Sequence, residues 1–285
     1  MEKPTATILL SCPDQKGIVA TISNFIFKNN GNILDAAQYS AQPENIFLMR
    51  IEWELEGFSI PREEIAKIFS PLAEKFSMKW DLRFSDYKPK IAIFVSSQTY
   101  CFHDLILRHR MGDFRGDISL VISNHLDLKL LAKQMGMKFR HYPITKENRL
   151  EQEEKELKEL KKRKIDLVIL ARYMQILSGR FVDEYRNRII NIHHSFLPAF
   201  AGGKPYQQAY DRGVKIIGAT SHYVTETLDE GPIIAQDVNE ISHKDSVETM
   251  KLKGKDLERT VLAKAVRLHL DNRILVYGSK TVIFD

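Results

Sequence analysis

The sequence predicts a two-domain α/β protein. A ferredoxin-like α+β unit comes first, followed by a Rossmann-like unit on a mostly parallel sheet. Two observations carry this expectation. Over residues 5–84 the hydrophobic period switches in the order strand, helix, strand, strand, helix, strand. Beyond residue 89, short apolar runs recur with helical segments between them, as buried parallel strands do.

Composition agrees and excludes several functions. The 285 residues suffice for two ordinary domains, and 44% apolar with 28% charged residues suits a globular protein with a buried core. The net charge is +5, from 42 basic and 37 acidic residues spread along the chain. This mild excess suits a polyanionic small molecule. No basic cluster with interleaved aromatics is present, so no nucleic-acid partner is expected. No apolar run approaches the ~20 residues of a membrane span. The segment MEKPTATILLSC lacks a basic region followed by a long apolar stretch, so no signal peptide is expected. The two cysteines, Cys12 and Cys101, have no metal-ligand spacing. A reducing, cytoplasmic setting without disulfides follows as the simplest expectation.

In the first unit, Ala6, Ile8, Leu10 and Cys12 alternate with Thr7, Leu9 and Ser11, a strand pattern. Pro13-Asp14 marks a turn, and Asp14 is a candidate cap for the next helix. Ile18, Ile22, Phe25 and Ile26 make its apolar stripe, and Asn30-Gly31-Asn32 ends it. Strands are expected near 32–40 and 46–54, with Gln42–Asn45 as the turn. In the second of these, Phe47, Met49, Ile51 and Trp53 share a face opposite Arg50, Glu52 and Glu54. A helix from about Pro61 to Phe76 and a strand through Met78, Trp80, Leu82 and Phe84 complete the unit. Asp14-x-x-Gly17-Ile18 and Gly31-Asn32-Ile33 resemble the ACT family of small regulatory domains. That resemblance implies an amino-acid effector near Asp14, Gly17 and Asn32, and a homo-oligomer formed through edge strands. Read without it, Gly17 and Gly31 serve turn and cap geometry.

The polar stretch 85–89 is a linker, so the domains are expected at 1–84 and 85–285. Buried-type strands are expected at 90–96, 118–123 and 165–171. Residues 145–164 read as a long charged helix, acidic early and basic late, with a solvated end.

Chemistry concentrates in Arg188–His193, another strand. Alternation gives Asn191 and His193 a common face, and ligands of open α/β sheets sit beyond strand carboxyl ends. The same alternation assigns the His194 ring to the other face. Asn191 offers an amide donor to a developing oxyanion, and His193 an acid/base group near neutrality. A second strand from Gly218 ends at a turn carrying Asp229, which could orient the imidazole or take a proton from water. No GxSxG nucleophile motif occurs, so water or a substrate amine is the expected attacker. No metal site is expected among the scattered histidines.

Asn191-x-His193-x-Ser195-x-Leu197-Pro198, with His222, Asp229 and Gly231 downstream, resembles the formyltransferase fold family that uses 10-formyltetrahydrofolate. The resemblance covers roughly residues 90–285. It implies catalytic roles for Asn191, His193 and Asp229, and no cofactor beyond the folate substrate. It also implies a folate site at Met174, Gln175, Ile176 and Leu177, with His222 and Glu226 beside it. Where relatives acting on glycinamide ribonucleotide carry arginine, this chain has Gln175. Core packing is the other reading of Met174, Ile176 and Leu177.

The choice between transfer and hydrolysis turns on Ser96–Asp104. Transformylases of this family wrap the acceptor phosphate with a glycine-rich loop after their first strand, whereas no glycine stands between Lys90 and Met111 here. Together with the ACT-like unit and Gly203-Lys204-Pro205-Tyr206, this resembles the formyltetrahydrofolate deformylases. They release formate from 10-formyltetrahydrofolate and balance one-carbon pools for purine synthesis. A formyltransferase to an amine acceptor such as glycinamide ribonucleotide is one alternative. A non-catalytic folate or amino-acid sensor is the other.

Overall fold

A computed structural model describes residues 3–198 and 205–285. Gly203 and Lys204 of the motif above lie outside the described residues. The chain forms two compact units.

The first unit runs β1 (Thr5–Pro13), α1 (Ile18–Lys28), β2 (Ile33–Ala41), β3 (Ile46–Glu54), α2 (Ile65–Lys75) and β4 (Lys79–Phe84). Its antiparallel sheet has the order β2-β3-β1-β4. Alternation decides the packing: Ile8 and Leu10 of β1 and Phe47, Met49, Ile51 and Trp53 of β3 join Ile18, Ile22 and Ile26 of α1 in one core. Asp14 does not cap α1. Two turn residues intervene, and Gly17 takes the cap position at φ +93 without a side-chain hydrogen bond. At the other end, Asn30 adopts the left-handed conformation, and Gly31 N–H reaches back to Ile26 O at 2.9 Å. Gly31 is needed for closeness, since a Cβ there would come within 2.5 Å of Ile26 Cγ2.

The first unit also holds Asn272–Tyr277 and Thr281–Asp285, which sequence reasoning had assigned to the second domain. Strands β12 (Ile274–Tyr277) and β13 (Lys280–Ile283) pair as a hairpin. Leu275, Tyr277, Val282 and Phe284 pack against Leu9, Ala41 and Leu48, the sheet face opposite the helices. The sheet is therefore covered on both faces. Arg50 lies on this covered face, only 3% exposed. It bonds to Asp35, Glu52 and the Asn272 carbonyl, which compensates its buried charge.

The second unit runs β5 (Lys90–Val95), α3 (Tyr100–Met111), β6 (Asp117–Ser123), α4 (Lys129–Gln134), β7 (Lys138–His141), α5 (Arg149–Arg163), β8 (Leu167–Leu170), α6 (Gly179–Glu184), β9 (Ile189–His193), α7 (Pro205–Asp211), β10 (Ile216–Tyr223), β11 (Ile233–Glu240) and α8 (Val247–Leu270). Its sheet has the order β11-β10-β9-β8-β5-β6-β7. Five strands are parallel, while β10 and β11 form an antiparallel extension. Strand order reverses beside β5, with β6 and β7 to one side and β8 and β9 to the other. Such a reversal opens a crevice beyond the strand carboxyl ends.

The basic end of helix α5 is exposed at Lys161, Lys162 and Lys164, but its earlier part is not all solvated. Gln152, Glu153, Glu156 and Glu159 are buried. Their partners explain this: Glu156 accepts from the Tyr173 hydroxyl, Glu153 from Ser178 N–H, and Glu159 from Arg140 and Arg163. Charge density alone cannot reveal which acidic side chains find donors on a distant loop.

Phe284 is 4% exposed under the first sheet. Phe284→Ala is expected to destabilise the first unit by about 3 kcal/mol, through lost transfer energy and an unfilled cavity. Both tryptophans, Trp53 and Trp80, lie in that unit, so urea unfolding followed by their fluorescence reads it directly. An unchanged midpoint would show that the hairpin is not part of its core.

Candidate active site

A cleft of about 720 Å³ opens beyond the carboxyl ends of β5, β8 and β9. Asn191, His193, His222, Glu226, Asp229 and Met174–Leu177 all line it, so the second-domain candidates from the sequence converge on one place.

Strand pairing does the assembly. β10 runs antiparallel to β9 and sets His222 opposite Asn191 and Thr220 opposite His193. His222 Nδ1 meets the Tyr223 carbonyl at 2.9 Å, so that nitrogen carries the proton. Nε2 then accepts from Asn191 Nδ2 at 3.2 Å and also lies 3.6 Å from Asp229 Oδ1. An asparagine amide carries a second N–H, and Asn191 lines the cleft. His222 thus orients Asn191, a relation visible only once the register of β10 is known.

After β10 the chain turns through Asp229, which adopts a left-handed backbone at φ +58. Gly231 is required just beyond, since a Cβ there would lie 1.7 Å from the Tyr223 carbonyl oxygen. This close return brings Asp229 Oδ2 to 3.2 Å from His193 Nδ1. The His193 contact holds the Asp229 carboxyl well below the usual carboxylate range. Asp229 is accordingly a fixed anion and a weak base. His193 Nε2 is buried and has no hydrogen-bond partner among the described residues.

His194 departs from strand parity. β9 ends at His193, and the two imidazole centroids lie 5.0 Å apart with both residues on the cleft. The expectation of opposite faces is therefore wrong, because alternation stops where the strand does. Burial and the neighbouring Arg172, which contacts His194 Nδ1 at 2.9 Å, push the His194 ring down to about 4. It stays neutral near pH 7.

The loop after β8 divides its residues. Tyr173 and Leu177 belong to the core, while Met174 and Ile176 are exposed toward the cleft. Met174 N–H donates to Ser96 Oγ at 3.1 Å, and Tyr173 and Ser178 are gripped by Glu156 and Glu153 of α5. Glu226 is exposed and packs against Gly179, where a Cβ would come within 2.9 Å of its carboxylate. Among the described residues no group of three His, Cys, Asp or Glu side chains is arranged to hold a metal ion. Cys101 is buried, and burial raises its thiol far above neutrality.

The three effector candidates sit in the first unit. Asp14 N–H bonds to Asn45 O, and the space beside Gly17 is open. The Asn32 amide reaches Glu54 at 3.4 Å.

The family model for the ACT domain matches residues 6–74, and the model described as formyl transferase matches residues 89–266. The chain is 55% identical to a formyltetrahydrofolate deformylase of Synechocystis over the full length of both. The chain belongs to the formyltetrahydrofolate deformylase family. A deformylase from Bacillus subtilis is 46% identical, with 98% of this chain and 93% of that protein covered. The crystal structure of a deformylase from Pseudomonas syringae superposes with a TM-score of 0.97 at 42% identity, covering 100% of this chain and 95% of that one. A glycinamide ribonucleotide transformylase from Symbiobacterium toebii gives 0.65 at 31% identity, covering 72% of this chain and 98% of that one. The deformylase match thus takes in the whole chain, whereas the transformylase matches part of it. Among the described residues no helix is long and apolar enough to cross a membrane.

Burial lifts the Glu156 carboxyl from 4.5 to about 8, so it is mostly protonated at neutral pH. The folded chain then binds this proton more tightly than the unfolded chain. The sign follows: stability falls as pH rises through the window from about 4.5 to 8. Glu156→Gln imitates the neutral acid and is expected to flatten that decline in thermal unfolding followed by far-ultraviolet circular dichroism. A variant with the same pH slope as the unmodified chain would contradict this.

Proposed function

We propose that the chain hydrolyses 10-formyltetrahydrofolate to formate and tetrahydrofolate, with Asn191, His193 and Asp229 as its catalytic residues. The observation that carries the roles is the unpartnered His193 Nε2 in a cleft that Asn191 also lines, with Asp229 behind the imidazole.

The pterin occupies the apolar end of the cleft, formed by Met174, Ile176, Leu177, Val224 and Leu228. Its ring edge bonds to backbone groups of the 174–177 loop, and His222 and Glu226 border the site. The formyl oxygen accepts from the second Asn191 N–H. His193 Nε2 takes a proton from water as the oxygen attacks the formyl carbon, and Asp229 stabilises the imidazolium through Nδ1. The tetrahedral intermediate places its negative charge on the oxygen facing Asn191. His193 then returns the proton to N10, which leaves as tetrahydrofolate. No Ser or Cys is among the described residues that line the cleft, and water is the attacking oxygen in this reading.

The remaining assignments rest on the family. The substrate is the folate itself, with no separate cofactor, and the reaction supplies formate while balancing one-carbon pools for purine synthesis. An amino acid is the proposed effector at Asp14, Gly17 and Asn32 of the ACT unit. The working form is a cytoplasmic homo-oligomer.

Purified chain given 10-formyltetrahydrofolate alone is expected to release formate and tetrahydrofolate in equal amounts, read by proton resonance and by folate absorbance. Turnover only after an amine acceptor is added would replace hydrolysis with formyl transfer. No turnover under either condition would leave a binding protein.

A further inference from the structure

One end of the cleft is lined by polar side chains that the reaction above does not use. Glu258 of α8 is 1% exposed, and both of its carboxylate oxygens are taken. Tyr100, the first residue of α3, donates to Oε2 at 2.6 Å. Tyr206 of α7 donates to Oε1 at 3.1 Å. Arg172 stands 3.5 Å from the same carboxylate and also contacts His194. The Tyr206 ring lies directly against α8 at Gly254, where a Cβ would come within 2.0 Å of the phenol oxygen. Any larger residue at position 254 would expel it.

The cluster is connected to the reacting centre. The His193 and His194 centroids are 5.0 Å apart, and those of His194 and Tyr206 are 6.4 Å apart. At the other end, Asp229 follows Leu228 of the apolar pocket directly. The catalytic trio therefore stands where the apolar and polar ends of one cleft meet. If folate fills the apolar end, a second substrate bringing an amine to the formyl carbon has the polar end to occupy.

We propose that Tyr100 and Tyr206, clamped on Glu258, are specificity-determining residues that plug the amine-acceptor end of the cleft and leave water as the attacking nucleophile. The inference rests on the hydrolase reading of the same site. The physical grounds are volume and polarity together. Two aromatic rings fill space that a second substrate would need. The groups suited to recognising an amine, the Glu258 carboxylate above all, are already satisfied from inside. Lys251 and Lys255 border this end, and Lys255 Nζ lies 5.6 Å from the Tyr100 centroid. Water needs no cradle of its own. Loss of backbone approach after β5 is thus matched by a side chain at the same place, because Tyr100 opens the helix that follows that loop.

With an amine as attacker the balance is simple. The amine nitrogen bonds to the formyl carbon, the bond from carbon to N10 breaks, and the amine proton passes to N10. The products are a formamide and tetrahydrofolate.

The test is the partition of product between formate and N-formyl glycinamide, with glycinamide as the added amine. The unmodified chain is expected to give formate alone at every amine concentration. Tyr206→Ala and Tyr100→Ala are each expected to bring the formamide share from undetectable to roughly tenfold or more above the detection limit, saturably in amine. Tyr206→Phe keeps the ring and is expected to give formate alone. Formamide from the unmodified chain, or its absence from an Ala variant that still releases formate, would overturn the plug. If an Ala variant does not fold, Tyr206→Leu and Tyr100→Leu are judged by the same partition. An unmodified chain that releases no formate would instead defeat the hydrolase reading, which keeps the two failures apart.

Discussion

The antiparallel pairing of β10 on β9 is the constraint on which the site depends. One register places His222 against Asn191 and starts the return loop that carries Asp229 to His193. A shift by one residue would turn the whole of β10 over and remove both contacts. Gly231 closes the same structure from the far side, since its approach to the Tyr223 carbonyl leaves no room for a side chain. Site geometry here follows sheet geometry: Asn191, His193 and His222 stand on strands, and Asp229 stands on the loop that joins β10 to β11.

Each group in the proposed reaction has its protonation role fixed by a neighbour. Tyr223 O selects the His222 tautomer, and His222 then aims the Asn191 amide. Asp229 is held as an anion by His193, which suits it to stabilise an imidazolium and makes it a poor proton acceptor for water. His194 is held neutral by burial and by Arg172, so a second positive charge does not form beside His193. The buried acidic side chains of α5 act farther out, bracing the loop after β8 that borders the cleft. The polar end is closed by a carboxylate whose acceptors are already used.

Much of this was legible in the sequence, because periodicity and turn chemistry are local. The β-α-β-β-α-β order of the first unit, the buried strands of the second, and the common face of Asn191 and His193 all follow from short-range pattern. What escaped has long-range causes. The C-terminal hairpin belongs to the first unit because Leu9, Ala41 and Leu48 need a cover, and nothing within residues 272–285 names that partner. Alternation sets Arg50 opposite the apolar residues of β3, and its burial depends on the same hairpin. Asp14 suits a cap by residue type, but the helix starts at Ile18 with Gly17 as its cap. Strand parity failed for His194 at the first residue past the strand. The tyrosines on Glu258 come from positions 100 and 206, so only the fold brings them together.

The central claim is that an amide N–H from Asn191 stabilises the oxyanion formed when water attacks the formyl group. Steady-state formate release by Asn191→Ala tests it most directly. A fall in kcat on the order of a hundredfold with little change in KM is expected, because the donor acts on charge that develops only in the transition state. A folded Asn191→Ala chain that keeps the unmodified kcat would contradict it.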